Sequence, residues 1–171
     1  MTGYTCAGCG ETHRDVPFAY ATPAPDYWFS IPEDERESRA ILSGEQCEFD
    51  DQHFFVRAQI EIPVHDAPEH LPDHFEWGVW VSLSRASYER MIELWEQPGR
   101  EAEPPYFGWL QTSLPYEPST LNLKTMVHTQ PVGLRPIVEL EPTDHPLAVE
   151  QREGITLARV QEIAERMLHP H

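Results

Sequence analysis

The first fifteen residues hold a spacing of cysteines and histidine that is typical of metal sites. Cys6 and Cys9 enclose two residues, and Gly10 and His13 follow. Two cysteines three apart bring both sulfurs to one ion only if the chain turns tightly, and Gly10 tolerates the positive φ that such a turn needs. Thiolate and imidazole are preferred zinc ligands. Residues 1–15 are therefore predicted to form a zinc-knuckle-like segment, with Cys6, Cys9 and His13 as three ligands.

The fourth ligand is expected from elsewhere in the chain, because structural zinc sites close with four ligands. Cys47 is the only other cysteine, so a Cys3His site is the economical assignment. Four histidines are rivals that spacing does not favour: His53, His65, His70 and His74. If two cysteines and two histidines bind instead, Cys47 is a buried apolar residue.

Two other chemistries for this segment are less well supported. A redox Cys-x-x-Cys normally opens a helix after a strand, and Gly10-Glu-Thr12 does not suit a helix start. A catalytic zinc keeps a position open for water beside a general base. Glu11 is near, but four protein ligands leave no open position. The pattern favours a structural zinc.

A second group of polar residues offers an alternative site, that of an enzyme of unknown class. It comprises His128, Arg135, Asp144 and His145, with aromatic residues that could line a pocket. Neighbouring side chains such as Asp144 and His145 usually point apart, and Thr143 or Asp144 is better explained as a helix cap. The sequence also lacks a nucleophile elbow and a glycine-rich phosphate loop. Whether the protein is an enzyme stays open at this level.

Charge restricts the partners. The chain has 29 acidic and 12 basic residues, a net charge of −17. Nucleic acids and anionic lipid attract cationic surfaces, and Arg14 is the only cation near the knuckle. Neither is expected as a partner. Acidity of this kind keeps a protein soluble, and the more specific interpretation is a surface matched to a basic partner protein. There is no membrane-length apolar run and no signal-like N-terminus, so the expected location is the cytoplasm.

Alternating apolar residues predict strands through the middle of the chain. One runs from Phe54 to Ile62 and a second from Phe75 to Leu83, as antiparallel neighbours. Tyr106 to Leu110 is a further strand, and 123–129 with 134–141 reads as a second hairpin.

Helices are predicted from apolar spacing and from end signals. One starts at Pro32 and stops at Gly44, and another carries Tyr88 to Trp95 behind a Ser84 cap. Two more close the chain. Gly154 ends the first, and Thr156 caps the second, whose apolar face is Val160, Ile163, Ala164 and Met167. The predicted fold class is α+β: a mostly antiparallel sheet with packed helices, in one domain over 1–171, with 16–171 as the body.

Several longer motifs resemble a bacterial family known as domain of unknown function 2199. They cover nearly the whole chain: Cys6-x-x-Cys9-Gly10-x-x-His13, Phe54-Phe-Val-Arg57, Trp77-Gly-Val-Trp-Val-Ser82, Pro104-Pro-Tyr-Phe-Gly-Trp-Leu110, Thr120-Leu-Asn-Leu-Lys-Thr125, Arg135-Pro, and Glu139 to Gln151 with Gly154-Ile. The resemblance implies a single-domain bacterial protein and no established activity. A zinc-containing protein that acts by binding or regulation is the expectation that best fits the residues.

Overall fold

The computed structural model describes residues 3–13 and 16–169; Arg14 lies outside them. The strands are β1 (Tyr4–Thr5), β2 (Thr12–His13), β3 (Ala19–Ala21), β4 (Ala40–Leu42), β5 (Gln46–Phe49), β6 (His53–Pro63), β7 (His74–Leu83), β8 (Tyr106–Leu110), β9 (Lys124–His128) and β10 (Ile137–Leu140). The α-helices are α1 (Asp26–Ser30), α2 (Glu33–Arg39), α3 (Arg85–Glu93), α4 (Pro146–Glu153) and α5 (Leu157–Leu168), and a 3₁₀ turn spans Arg100–Ala102.

The two predicted hairpins are present and share one sheet. β6 and β7 pair antiparallel along their length, from Phe54 opposite Leu83 to Pro63 opposite His74. β9 and β10 pair antiparallel, with His128 opposite Ile137. β8 joins the two hairpins by pairing with β7 and with β9. The period-two alternation is therefore a sound guide to these strands, because it reflects one buried face.

The sheet is mostly antiparallel, as predicted, but it closes on itself, which the expectation of a sheet with packed helices did not include. β10 reaches β6 in a parallel contact at Ile137 and Gln59, which completes a ring of β7, β8, β9, β10 and β6. The Gln59 N–H donates to the Pro136 carbonyl across this seam, at 3.0 Å. Sheet twist brings distant strands together in a barrel, and such a contact leaves no mark on local alternation. β3 adds a second parallel pairing, with β7.

The barrel separates two apolar clusters. Its interior is filled by inward-facing residues of the ring, such as Ile60, Trp77 and Val79. On the outer face of β6 and β7, Phe55 and Trp80 form a second cluster with Ile31, Cys47 and Phe49. The loop that carries α1 covers this cluster, and Trp80 Nε1 donates to the Thr22 carbonyl at 3.0 Å.

The helix ends agree with the sequence signals at three positions and differ at two. Ser84 caps α3, Thr156 caps α5, and Gly154 ends α4. α2 stops at Arg39, before β4, so Gly44 lies in the β4–β5 turn and ends no helix. The cap of α4 is His145, whose Nδ1 accepts from the Leu147 N–H, and neither Thr143 nor Asp144 is the cap. Of the predicted α5 face, Met167 is 42% exposed.

Among the helices of residues 3–13 and 16–169, none combines the length and apolar character needed to cross a membrane.

Candidate metal centre

A short hairpin presents the three ligands predicted near the N-terminus. β1 and β2 pair Tyr4 with His13 and Thr5 with Thr12. The intervening turn is closed by the Cys6 N–H, which donates to the Glu11 carbonyl at 2.9 Å, and by the Gly10 N–H, which donates to the Cys6 carbonyl at 2.8 Å. Gly10 has φ +74°, a value that L side chains rarely adopt. Gly10 thus has the positive φ predicted for a tight turn after Cys9.

The hairpin brings Cys9 and His13 into contact. Cys9 Sγ lies 3.5 Å from His13 Nε2. Ligand atoms on a tetrahedral zinc are separated by about 3.3–3.8 Å, given zinc bonds of about 2.0–2.3 Å, so this distance suits one shared ion. The His13 ring lies against the Tyr4 ring, with centroids 5.5 Å apart. Its position in β2 and this contact orient the imidazole toward the cysteines.

The electrostatics of Cys9 reflect the turn around it. A hydrogen bond from the Glu11 backbone lowers the pKa of the Cys9 thiol, but desolvation and the neighbouring Cys6 thiol raise it, and the net pKa lies above its ordinary value. Two thiols held this close disfavour a second negative charge. A bound cation reverses that balance, since a metal holds its cysteine ligands as thiolates.

The fourth donor is His169, which immediately follows α5. One donor atom from each of Cys6, Cys9, His13 and His169 lies within 4.8 Å of every other. His169 Nε2 is buried and makes no hydrogen bond within the described residues. A buried ring nitrogen without a partner is costly, and a metal bond would satisfy it. This group could hold a metal ion.

The end of α5 is held against the hairpin turn by further contacts. Glu165 Oε1 accepts from the Ala7 N–H at 2.9 Å. Cys6 is buried with Tyr4 and Ala164, a residue of α5. Gly8 leaves room for the imidazole, because a Cβ there would lie 2.8 Å from His169 Cδ2. The hairpin and the helix together therefore form a four-donor site.

The expected fourth ligand, Cys47, lies elsewhere. It is fully buried on β5, in the cluster of Ile31, Phe49, Phe55 and Trp80 on the outer face of the barrel. Burial, with a smaller effect of Glu48, raises the pKa of its thiol to about 12. A neutral thiol among aromatic rings behaves as a small apolar residue. The structure therefore places His169, and not Cys47, beside Cys6, Cys9 and His13.

The rival histidines are not part of the cluster. Tyr27 contacts His53 with ring centroids 4.9 Å apart, and His65 Nε2 hydrogen-bonds to the Glu153 carbonyl. His70 is exposed. His74 forms a second group with Glu61 and Glu76, but its Nδ1 contacts Asp73 and its Nε2 contacts Glu76, each at 3.0 Å. An imidazole bonded to carboxylates through both nitrogens has no free lone pair for a metal.

The four residues of the enzyme alternative are not brought into one cleft. His145 Nε2 bonds to the Pro118 carbonyl at 2.8 Å and its Nδ1 caps α4, so both ring nitrogens are engaged. Asp144 is exposed. His128 lies opposite Ile137, whereas the chain leaves for Asp144 from Leu140, opposite Thr125. Three residues of strand span about 10 Å, so His128 and His145 lie toward opposite ends of this hairpin.

Arg135 has a different environment from the other three residues. Its Nε and Nη2 donate to the Glu45 carboxylate at 2.9–3.1 Å, and this ion pair borders a cavity near the β9–β10 loop.

The fold and site define a class of protein: a closed β-barrel of mixed α+β composition, with a cysteine–histidine cluster that joins its N-terminal hairpin to its last helix. The chain belongs to the family described as "Uncharacterized protein conserved in bacteria (DUF2199)", whose family model matches residues 5–155. The match includes Cys6, Cys9 and His13 and ends before His169. A search of curated proteins and a search of solved structures each found no match.

Proposed function

We propose that this is a zinc-containing bacterial protein in which Cys6, Cys9, His13 and His169 hold one structural zinc ion. The convergence of four donor atoms within 4.8 Å is the observation that carries the proposal. Sulfur and imidazole donors in equal number suit zinc better than magnesium or calcium, which prefer oxygen.

The role assigned to the zinc is structural because four protein ligands fill a tetrahedron. No position then remains for the water that a catalytic zinc would activate. The ligands come from opposite ends of the chain, so the ion would hold the hairpin of residues 4–13 onto α5. The two thiolates would balance the charge of the zinc ion, which suits a site where Cys6 is buried.

The protein is proposed to act by binding or regulation, with a basic protein as partner. The net charge of −17 supports this. Five arginines of the described chain already form ion pairs with acids, and these are Arg39, Arg85, Arg90, Arg135 and Arg159. The unpaired charge is therefore mostly negative, which favours association with a positive surface and disfavours nucleic acid and anionic lipid. The cytoplasm, where thiols stay reduced, is the compartment that suits the free cysteines.

Metal analysis of the purified protein tests the zinc. About one equivalent of zinc per chain is expected, together with its release when the thiols are modified. Cys9→Ser should lose the metal and loosen the hairpin of residues 4–13, observed as faster amide exchange there. Protein that folds fully and binds no zinc, even when purified and refolded with zinc present, would contradict the proposal.

Affinity as a function of salt tests the partner. The tagged protein is used to isolate binders from the native host, and each dissociation constant is measured at low and at high ionic strength. A basic partner whose affinity falls as salt rises is expected, because screening weakens attraction between opposite charges. Binders that are acidic, or whose affinity is independent of salt, would oppose this part of the proposal and leave the zinc site unaffected.

A further inference from the structure

A cavity of about 500 Å³ lies between α3, the β9–β10 loop and the β6 edge. Its volume is in the range of small-molecule sites. Trp95, Met91 and Leu134 provide apolar walls, and Gln59 provides an amide. The cavity is separate from the cysteine–histidine cluster, with which it shares no residue.

Arg100 gives this cavity an unusual charge. It is 7% exposed, and it is the only lysine or arginine among the described residues that is buried to this degree. Its guanidinium donates to main-chain carbonyls alone: those of Trp95, Gln130, Pro131 and Leu134, at 2.8–3.1 Å. These bonds use four of the five N–H donors of an arginine and leave one on Nη1.

Carbonyl oxygens solvate a cation without neutralising it. Charged residues with this little exposure are normally paired with an opposite charge. Among the described residues, 3–13 and 16–169, no ion pair with an N–O distance of 4.0 Å or less joins Arg100 to a carboxylate. Holding the loop through its carbonyls explains why an arginine is present, but it leaves the positive charge without a counter-ion.

The other charges around the cavity do not provide that counter-ion. Glu45 is engaged by Arg135 through both of its oxygens, and this contact raises the pKa of Arg135. Glu96 also lines the cavity, and it is exposed to solvent. In a chain with net charge −17, this cavity is a place where an anion would meet a positive charge that no carboxylate pairs with.

We propose that the cavity binds a small organic carboxylate, with its anionic end at Arg100 and its apolar body against Trp95, Met91 and Leu134. The remaining Arg100 N–H and the Gln59 amide are among the donors available to the carboxylate, and charge-assisted bonds such as that from Arg100 are the stronger ones. Trp95 lies under the guanidinium, whose carbon is 5.6 Å from the ring centroid. A ligand bound at Arg100 should therefore shift the NMR signal of the Trp95 indole N–H. A small-molecule ligand here goes beyond the proposed zinc site and partner.

The test uses the full-length protein and three acids: benzoate, phenylacetate and 3-phenylpropionate. The matching primary amides serve as neutral probes of nearly the same shape. Binding is followed at the Trp95 indole N–H in ¹⁵N spectra, with the signal identified by Trp95→Phe. At least one acid should shift this signal saturably, and its amide should bind at least about tenfold more weakly.

The variants must change the charge of the cavity without disturbing the fold. Arg100 itself is unsuitable, because replacing it would also remove its hydrogen bonds to the loop carbonyls. Glu96→Gln removes a negative charge from the wall and should tighten binding of the acid. Glu101→Gln removes an exposed charge that does not line the cavity, and it should leave the affinity unchanged. The proposal is overturned if no acid shifts the Trp95 signal at millimolar concentration, if acid and amide bind equally, or if the two variants behave alike.

Discussion

Cys9 Sγ and His13 Nε2 lie 3.5 Å apart across a hairpin turn, close to the separation of two ligands on one tetrahedral zinc ion. The turn that produces this distance is local, since Gly10 and the backbone bonds of Cys6 fix it. The site is completed by a histidine from the other end of the chain. Predictions about metal binding therefore concern both ends of the sequence.

His169→Ala should weaken zinc binding, whereas Cys47→Ala should not. His169 contributes one of four converging donors, and its loss opens the tetrahedron to water. We expect at least about tenfold lower zinc affinity, or about 1.4 kcal/mol, measured by competition with a chromophoric chelator. His169→Cys should keep much of the wild-type zinc affinity, since thiolate also binds zinc.

Cys47→Ala is the matched control for this experiment. Its thiol lies among the aromatic residues of the outer cluster, so the variant should keep its zinc and lose a small amount of stability through packing. Zinc loss in Cys47→Ala, with zinc retained in His169→Ala, would instead favour the Cys3His site expected from the sequence.

The sequence predicts the part of the site that is local and misses the part that is not. Cys6, Cys9 and His13 fall within one turn, so their spacing carries the information. Nothing near His169 indicates that α5 ends against the hairpin. Cys47 is favoured by the sequence only because it is the remaining cysteine. The available signal is that the apolar Cys47 and Phe49 alternate with the polar Gln46 and Glu48 on β5, which indicates that Cys47 belongs to an apolar face.

The same distinction holds for the fold. Residues of β6 and β7 alternate with period two because one face is buried, so both strands and their hairpin are predictable. Closure of the barrel depends on the parallel contact of Ile137 with Gln59, which joins strands far apart in sequence. Twist and strand register decide that contact, and neither can be read from the hydrophobic pattern.

His74 should make stability depend on pH. Its hydrogen bond with Asp73 raises its pKa above 6.5, and Glu76 and Glu61 act in the same direction against some desolvation. A histidine whose pKa is higher in the folded state binds its proton more tightly there. Its stabilising contribution is therefore complete below about pH 6.5 and is lost as pH rises through the raised pKa.

Urea unfolding of the wild type and of His74→Gln between pH 5 and 9 measures this effect. The wild type should exceed the variant in stability at the acidic end, and the difference should shrink as pH increases. His70→Gln, at an exposed histidine of the β6–β7 connection that precedes His74, is the control and should follow the wild-type profile. A stability difference that grows with pH would contradict the assignment.

Gly108 is expected to be intolerant of a side chain. It lies in β8, where a Cβ would meet the Val81 side chain and would lie 2.8 Å from the Ser82 carbonyl oxygen. Because the paired backbone of β7 cannot move away easily, Gly108→Ala should lower the free energy of unfolding by about 1–3 kcal/mol. A Cβ added at Gly44, in the β4–β5 turn, would meet no atom within 4 Å, so Gly44→Ala should change stability by less than about 1 kcal/mol. Urea unfolding of the two variants measures both values.

Tyr116 joins the barrel interior to the last helix through a partly buried polar chain. Trp77 Nε1 donates to the Tyr116 hydroxyl at 3.1 Å, and that hydroxyl donates to Glu150 Oε2 at 2.6 Å. Arg159 on α5 donates to the other Glu150 oxygen at 2.7 Å. Burial, followed by the nearby Glu150 carboxylate, raises the pKa of Tyr116 well above its usual value, so the hydroxyl remains a donor.

Tyr116→Phe should cost about 1–3 kcal/mol, because it leaves the Trp77 N–H buried without an acceptor and Glu150 with one partner fewer. Urea unfolding measures the loss. Tyr106→Phe is the comparison, since its hydroxyl donates to Glu103 at 3.2 Å and Glu103 keeps a 2.8 Å contact with Arg90; it should cost less than about 1 kcal/mol. Hydrogen exchange should show the Tyr116 loss concentrated in α4 and α5, because Glu150 and Arg159 lie there. Equal losses in the two variants would mean that the Tyr116 hydroxyl contributes no more than that of Tyr106, and that the chain from Trp77 to Arg159 does not couple the barrel to the helix that precedes His169.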